Sequence, residues 1–413
     1  MEQHIQTQSQ DELLPALSFR PEPTTNYLEH VRHVRFRAAA GDRFSEASRV
    51  IRFQLQDSCW LEPSSIRFQC LLTNKDTTAG NLLTPIAPPL CMFSNMKIYA
   101  AGQLVENIEE LGVLASIIDR TKPAARRIIE SAMAHPLVIA GDNERRKTIA
   151  GGESRRLIFD LPVGLFKCGK LLPLHLLQML TVELTLADRT QAFTTAGANI
   201  SDSFDLSDVS LLASCLHVNS TVSAQYHQHL EAGLDMPVTH QVETGSKCLV
   251  TNSTFTLSIS RSMTRLKQLY VVVVAVGDKP VRDFVCRADA ALTTATDITS
   301  FQIACGSYRV PDSPCVGVAE TYYRCLQAVG KASTSDDVAV PFARYQANSM
   351  IYAVDFEKMG EEAQFTGLNT QGKTLSLIVN NAFDGNNAHE VYVYLVADQI
   401  LNMKGRAGVD ILD

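Results

Sequence analysis

One order of sequence patterns occurs twice in this chain, at a separation of about half its length. Around residue 93 an alternating segment, Phe93-Ser-Asn-Met-Lys-Ile-Tyr99, reaches a turn at Ala101-Gly102-Gln103, and a helical stretch over Glu110–Ile118 follows. The order returns with Phe301-Gln-Ile-Ala-Cys305, a turn at Gly306 and a helical stretch over Ala319–Ala328. Solenoid units recur every ~20–50 residues, so a period this long is of another kind. It implies two similar β-rich domains in tandem. The 413 residues suffice for two or three domains of ~150 residues each.

Alternation along the rest of the chain agrees. Arg49-Val-Ile-Arg-Phe-Gln-Leu55 puts Ile51, Phe53 and Leu55 on one face of a strand. Ser65–Thr73 does the same with Ile66, Phe68 and Cys70, and Pro63 with Ser64 punctuates the join. Val105–Ala134 is the most helical part, with Pro123 suited to the first turn of a second helix over Ala124–Ala134. Gly141–Gly152 is polar and glycine-flanked, an exposed loop. Strands resume at Arg156–Leu161, Leu180–Leu186 and Val209–Val218, and residues 220–236 make a polar bridge. Further strands are expected at Cys248–Ser260, Leu269–Val276, Ile298–Ala304, Ser349–Phe356, Thr374–Asn380 and Glu390–Leu395. Many short strands with turn signals between them make the class all-β with a few short helices.

Several function classes recede at this point. The net charge of −7 argues against a broad surface for wrapping nucleic acid. One basic stretch, His30-Val-Arg-His-Val-Arg-Phe-Arg37, stands apart, but Val31, Val34 and Phe36 interleave it as in a strand with one charged face. Met1–Thr25 is polar and has no apolar run, so no secretion signal is expected there. The longest apolar run, Leu269–Val276, is far shorter than the ~20 residues of a membrane span. Ten cysteines scatter without a C-x-x-C or other short metal spacing, as buried thiols in a reducing compartment do. The sequons at Asn199, Asn219 and Asn252 read as chance matches.

The motifs that could carry chemistry are weak in context. Gly367-Leu-Asn-Thr-Gln-Gly372-Lys373-Thr374 satisfies the phosphate-loop pattern letter for letter. Such a loop needs a buried strand before it and a helix after it. Here Lys358–Gln364 is polar and Leu375–Asn380 alternates, so a glycine-bearing turn between strands is expected. His227 and His229 would share a face of a strand, with His217 and His240 nearby, but no carboxylate or cysteine stands at a matching metal spacing. Asp202, Asp205 and Asp208 lack the glycine and terminal glutamate of a calcium loop. His389-Glu390 lacks a second histidine, and G-x-S-x-G is absent. No catalytic, cofactor-binding or metal-ligating residue is nominated, and no cofactor or small-molecule substrate is expected. The chain reads as a building block, not an enzyme.

Four passages carry a family resemblance: Arg49–Leu55 followed by Ser65–Asn74, Phe93–Ile118, the leucine-proline segment Leu171–Leu186, and Ser210–Leu230. Their order resembles that of the double jelly-roll major capsid proteins of tailless icosahedral DNA viruses, especially the compact forms of virophages, adintoviruses and polinton-like viruses. The resemblance implies two tandem jelly-roll β-sandwiches, over residues 26–220 and 237–413, with a linker at 221–236 and a flexible N-terminal segment at 1–25. It also implies a homotrimer with a pseudo-hexameric outline that tiles an icosahedral shell. Its partners would be neighbouring capsomers, single jelly-roll penton proteins and minor capsid proteins, with the N-terminal segment touching genome or an internal membrane. The place of such a protein is the virion, after synthesis in the host cell cytoplasm. The alternative is an intracellular two-domain β-sandwich enzyme or carbohydrate-binding protein. The single tryptophan, Trp60, speaks against sugar binding, which usually uses several exposed aromatic platforms. ATP binding at Gly367–Thr374 is a third reading.

Overall fold

The computed structural model describes residues 27–412 apart from 87, 124–136, 139–144, 147, 176, 178, 194–198, 202, 277–283, 285–297, 331–339, 358–366, 384–386 and 405–407. The expected segment 1–25, the second helix over Ala124–Ala134, Asp202 and part of the 141–152 loop lie outside the described residues.

Eight main strands come first: β1 (Leu28–Arg37), β2 (Val50–Leu55), β3 (Trp60–Asn74), β4 (Phe93–Ala100), β5 (Gln103–Glu109), β6 (Ser154–Phe159), β7 (Leu180–Leu186) and β8 (Phe204–Val218). Eight more follow: β9 (Met236–Val250), β10 (Phe255–Ile259), β11 (Leu266–Ala275), β12 (Ser300–Cys305), β13 (Tyr308–Val316), β14 (Tyr352–Asp355), β15 (Leu375–Asn380) and β16 (His389–Lys404). The first set makes one antiparallel sheet ordered β1-β8-β3-β6 and another ordered β2-β7-β4-β5. The second set makes sheets ordered β9-β16-β11-β14 and β10-β15-β12-β13. Adding eight to each strand number turns the first pair of sheets into the second. Short pieces extend the ladders: Arg43–Phe44 on β8, Leu172–Pro173 on β3 and Gly408–Leu412 on β16.

The helices obey the same correspondence. Helix α1 (Leu111–Thr121) follows β5, and α3 (Gly317–Ala328) follows β13. Between the two sets lies α2 (Ser220–Glu231), and α4 (Phe342–Asn348) precedes β14. The 220–236 bridge is therefore mostly helical. Asn219 starts it, its side-chain oxygen accepting the Thr221 N–H at 2.9 Å.

Alternation explains how each sandwich closes. Along β2 every second residue is buried, and Ile51, Phe53 and Leu55 face inward. Phe68 of β3 meets Phe53 at 6.0 Å, Phe93 at 5.3 Å and Phe159 at 5.1 Å between ring centroids. One ring thus joins both sheets of the first sandwich. In the second, Val271–Val274 of β11 are all buried. Both faces of that central strand are covered, which is why it reads as a continuous apolar run. Helix α3 lies over this sheet, and Tyr270 Oη donates to the Ala328 carbonyl at 3.3 Å.

The structure corrects several element readings. Val105–Glu109 is strand, not helix, because Ala101 and Gly102 both take positive φ and turn the chain into a hairpin with β4. The helix starts only at Leu111. Cys248–Ser260 is not one strand: β9 ends at Val250 and β10 begins at Phe255. Most of β9 was not expected, because His240 and Thr244 occupy buried positions where an apolar residue would have shown the period. Pro311 and Pro314 lie in β13, an edge strand paired among the described residues only with β12. Gln302 compensates, its Nε2 donating to the carbonyls of Pro311 at 2.9 Å and Asp312 at 3.0 Å. Pro63 lies within β3, where the register with β8 shifts and Ser65 Oγ accepts the Ser214 N–H at 2.8 Å.

Candidate functional site

The features with functional content are edges and a seam. The seam is where β5 of the first set packs against β9 of the second. Glu106, 1% exposed, reaches across it from β5, and its Oε1 accepts the Glu243 N–H at 3.1 Å and the Gly164 N–H at 3.5 Å. Tyr394 Oη donates to the Glu110 carbonyl at 2.8 Å. Lys247 Nζ lies 3.6 Å from Glu110 and 3.0 Å from Glu390. A Cβ on Gly164 would stand 1.5 Å from the Gln241 carbonyl oxygen, so the two backbones approach as closely as glycine allows.

Burial pushes Glu106 up to about 8, and the neighbouring Glu243 carboxylate adds to the rise. Its two backbone bonds and Lys167 pull the other way. Glu243 is raised by burial as well. Glu106 therefore carries a proton at neutral pH. The two carboxylates converge between packed backbones, where Glu106 is engaged by N–H groups, and not in a ligand cleft.

Among the described residues, the edges equivalent to the seam are open. Strand β1, counterpart of β9, is exposed over most of its length. Strand β13, counterpart of β5, is exposed too, with Tyr308 at 54% and Val316 at 48%. The basic stretch His30–Arg37 lies on β1. Arg32 is paired with Asp57, and Arg35 lies 3.8 Å from Asp208. His30 stacks on His217 at 4.2 Å, and His33 Nδ1 lies 3.2 Å from Ser214 Oγ.

Gly367–Thr374 is a turn whose Lys373 N–H bonds the Thr370 carbonyl at 3.1 Å, and β15 begins directly at Leu375. The helix a phosphate loop needs is not there. His227 and His229 lie on α2, not on a strand, so they point to different sides. His227 instead approaches His175 at 5.3 Å. Burial lowers His240 to about 4, which makes it a neutral core residue. Asp205 pairs with Lys75 at 3.4 Å and Asp208 with Arg156 at 2.6 Å. His389 stacks on Phe383 at 3.6 Å, and Glu390 accepts from Tyr392 Oη at 2.6 Å. Glu106 and Glu243 went unnoticed in the sequence, although a glutamate between Val105 and Ile108 in a hairpin strand is the signal that finds such a residue. Among the described residues, no helix is long and apolar enough to cross a membrane.

No protein-family model and no curated protein matches the chain. Solved structures do. VP54 of PBCV-1, as fitted into a reconstruction of the virophage Sputnik, superposes with a TM-score of 0.65 at 12% identity, covering 95% of this chain and 99% of that one. The chain has the double jelly-roll fold. The Faustovirus major capsid protein shares it with a TM-score of 0.65 at 7% identity, over 94% of this chain and 92% of that one. The structure of the Sputnik virophage gives 0.59 at 10% identity, over 97% and 92%. Each jelly roll here is one eight-strand set, and the match spans nearly the whole of both chains in each case.

Proposed function

We propose that this protein is a major capsid protein, a structural subunit whose trimers tile an icosahedral shell. One observation carries the reading: the duplicated sheets meet through a seam whose two counterpart edges are open. Strand β5 accepts β9 within the chain, so β13 is shaped to accept β1 of a second copy. Each copy offers one edge of each kind, which is a head-to-tail interface that closes into a ring. Three chains place six jelly rolls around that ring, giving a pseudo-hexagonal outline. Long apolar-bearing edges invite aggregation in a monomer and are safe once paired. The coverage of capsid proteins over whole chain lengths supports the same reading.

In this reading residues 26–220 and 237–413 are the two jelly rolls, 221–236 is their linker, and 1–25 is an N-terminal segment. That segment, which leads into the basic face of β1, contacts genome, an internal membrane or minor capsid proteins on the inside of the shell. Other contacts are with neighbouring capsomers and with penton proteins. The protein is made in the host cell cytoplasm and resides in the virion. It has no catalytic role.

The test is the mass of the purified chain in solution, with negative-stain images of the same peak. A mass near three times 45.4 kDa and hexagon-like outlines are expected. A stable monomer at capsomer-forming concentrations would overturn the reading.

A further inference from the structure

Cys59, at the turn into β3, and Cys215, on β8, are both fully buried. Asp57 stands beside them, its side chain 17% exposed. One ligand atom from each of the three lies within 4.8 Å of the other two. Nothing in the sequence spacing announces this group, because the pairing of β3 with β8 creates it. The register matches Trp60 with Leu216 and Leu61 with Cys215. One step further along sets Cys59 two positions from Cys215, so the cysteines are diagonal across the strands.

That diagonal decides what the pair is for. Diagonal neighbours have Cα atoms ~7–8 Å apart. A disulfide needs ~4.4–6.8 Å, and both thiols are unbridged. A tetrahedral zinc ion with Zn–S bonds of ~2.3 Å holds two sulfurs just under ~4 Å apart, within the 4.8 Å that already spans the three ligand atoms. The carboxylate is held in place by Arg32 and by the Ser58 N–H, which donates to Asp57 Oδ1 at 2.7 Å. Two thiolates, one carboxylate, the Arg32 guanidinium and a divalent cation sum to zero charge, which is what a buried site requires.

We propose that Asp57, Cys59 and Cys215 form a zinc site that ties the start of β3 to the end of β8 and, through Arg32, to the edge strand β1. Binding releases the two thiol protons to solvent, and water entering past Asp57 completes the coordination. The site lies wholly within the first jelly roll and does not depend on the capsid reading.

Trp60, the one tryptophan, follows Cys59 directly and reports on the site. The full chain, reduced and stripped with chelator, is titrated with Co²⁺. One equivalent per chain is expected to give a thiolate-to-cobalt absorption band in the near ultraviolet and to quench Trp60 emission, both reversed by Zn²⁺. Cys59→Ser and Cys215→Ser should each abolish the band. Asp57→Asn, which keeps the shape of the side chain and an oxygen for the Ser58 N–H, should weaken the affinity about tenfold or more. Cys248→Ser, at an exposed cysteine, should leave everything unchanged. The proposal is overturned by a band that survives Cys59→Ser, by affinity unmoved in Asp57→Asn, by the absence of a band from fully reduced chain, or by a mass two daltons low that marks a Cys59–Cys215 disulfide.

Discussion

The β5–β9 seam and the open edges β13 and β1 have the same geometry and opposite chemistry. On β5, Val105, Glu106 and Ile108 are buried, and the glutamate is engaged by one backbone N–H from each half, those of Gly164 and Glu243. On β13, only Cys315 is buried, and Pro311 and Pro314 remove donors from the strand. A permanently covered edge can carry a buried acid and glycine-tight contacts. The exposed edge carries prolines, which remove donors and suppress pairing with a wrong strand. In the proposed trimer, the difference teaches that equivalent strands are specialised by when they are covered, during folding or during assembly.

Breaking the seam has the largest expected effect. Gly164→Val puts a side chain onto the Gln241 carbonyl, and a loss of about 4 kcal/mol or more is expected, read as loss of soluble protein or a collapsed melting temperature. A variant melting near the parent would mean the halves are not rigidly joined. On the open side, Tyr308→Asp with Val316→Asp should convert the proposed trimer to monomer in a mass measurement. The monomer's own stability should stay within about 0.5 kcal/mol, as for surface changes generally. An intact trimer would place the interface on another face.

The buried acid sharpens the comparison through pH. Glu106 is raised from 4.5 to about 8, so the folded chain holds a proton that the unfolded chain loses first. The stabilising contribution is full below pH 4.5 and is lost as pH rises through about 8. Glu106→Gln mimics the protonated acid and should flatten this loss, with a gain of about 1–4 kcal/mol at pH 9 relative to the parent. Denaturant melts at pH 5, 7 and 9 measure it; parallel curves for the two proteins would assign the pH dependence elsewhere. Tyr394→Phe removes one hydrogen bond across the seam and should cost about 1 kcal/mol. The smallest effect belongs to the phosphate-loop lookalike. With Lys373→Ala, neither stability nor the absence of an ATP-induced thermal shift should change.

Much of the fold was legible in the sequence. Strand β2 alternates over its whole length because one face is core and the other solvent, and β7 and β15 keep the same inward period. The doubled order at Phe93 and Phe301 announced the tandem sandwiches. The strands that were not legible, β9 and β13, are edges. Their buried positions are few or polar, so the period-two signal that depends on apolar burial is weak there. Val105–Glu109 was misread because a short amphipathic stretch next to a real helix shows no period of its own, and only the turn at Ala101 and Gly102 sets its direction.

Local order along the chain therefore determined the class, the repeat and the rejection of Gly367–Thr374 as a nucleotide site, since each depends on residues close in sequence. The tertiary structure alone decided the seam, the fate of Glu106 and the meeting of Asp57 and Cys59 with Cys215. Those depend on strand register and on contacts between segments far apart in the chain, which pairing sets and spacing does not encode.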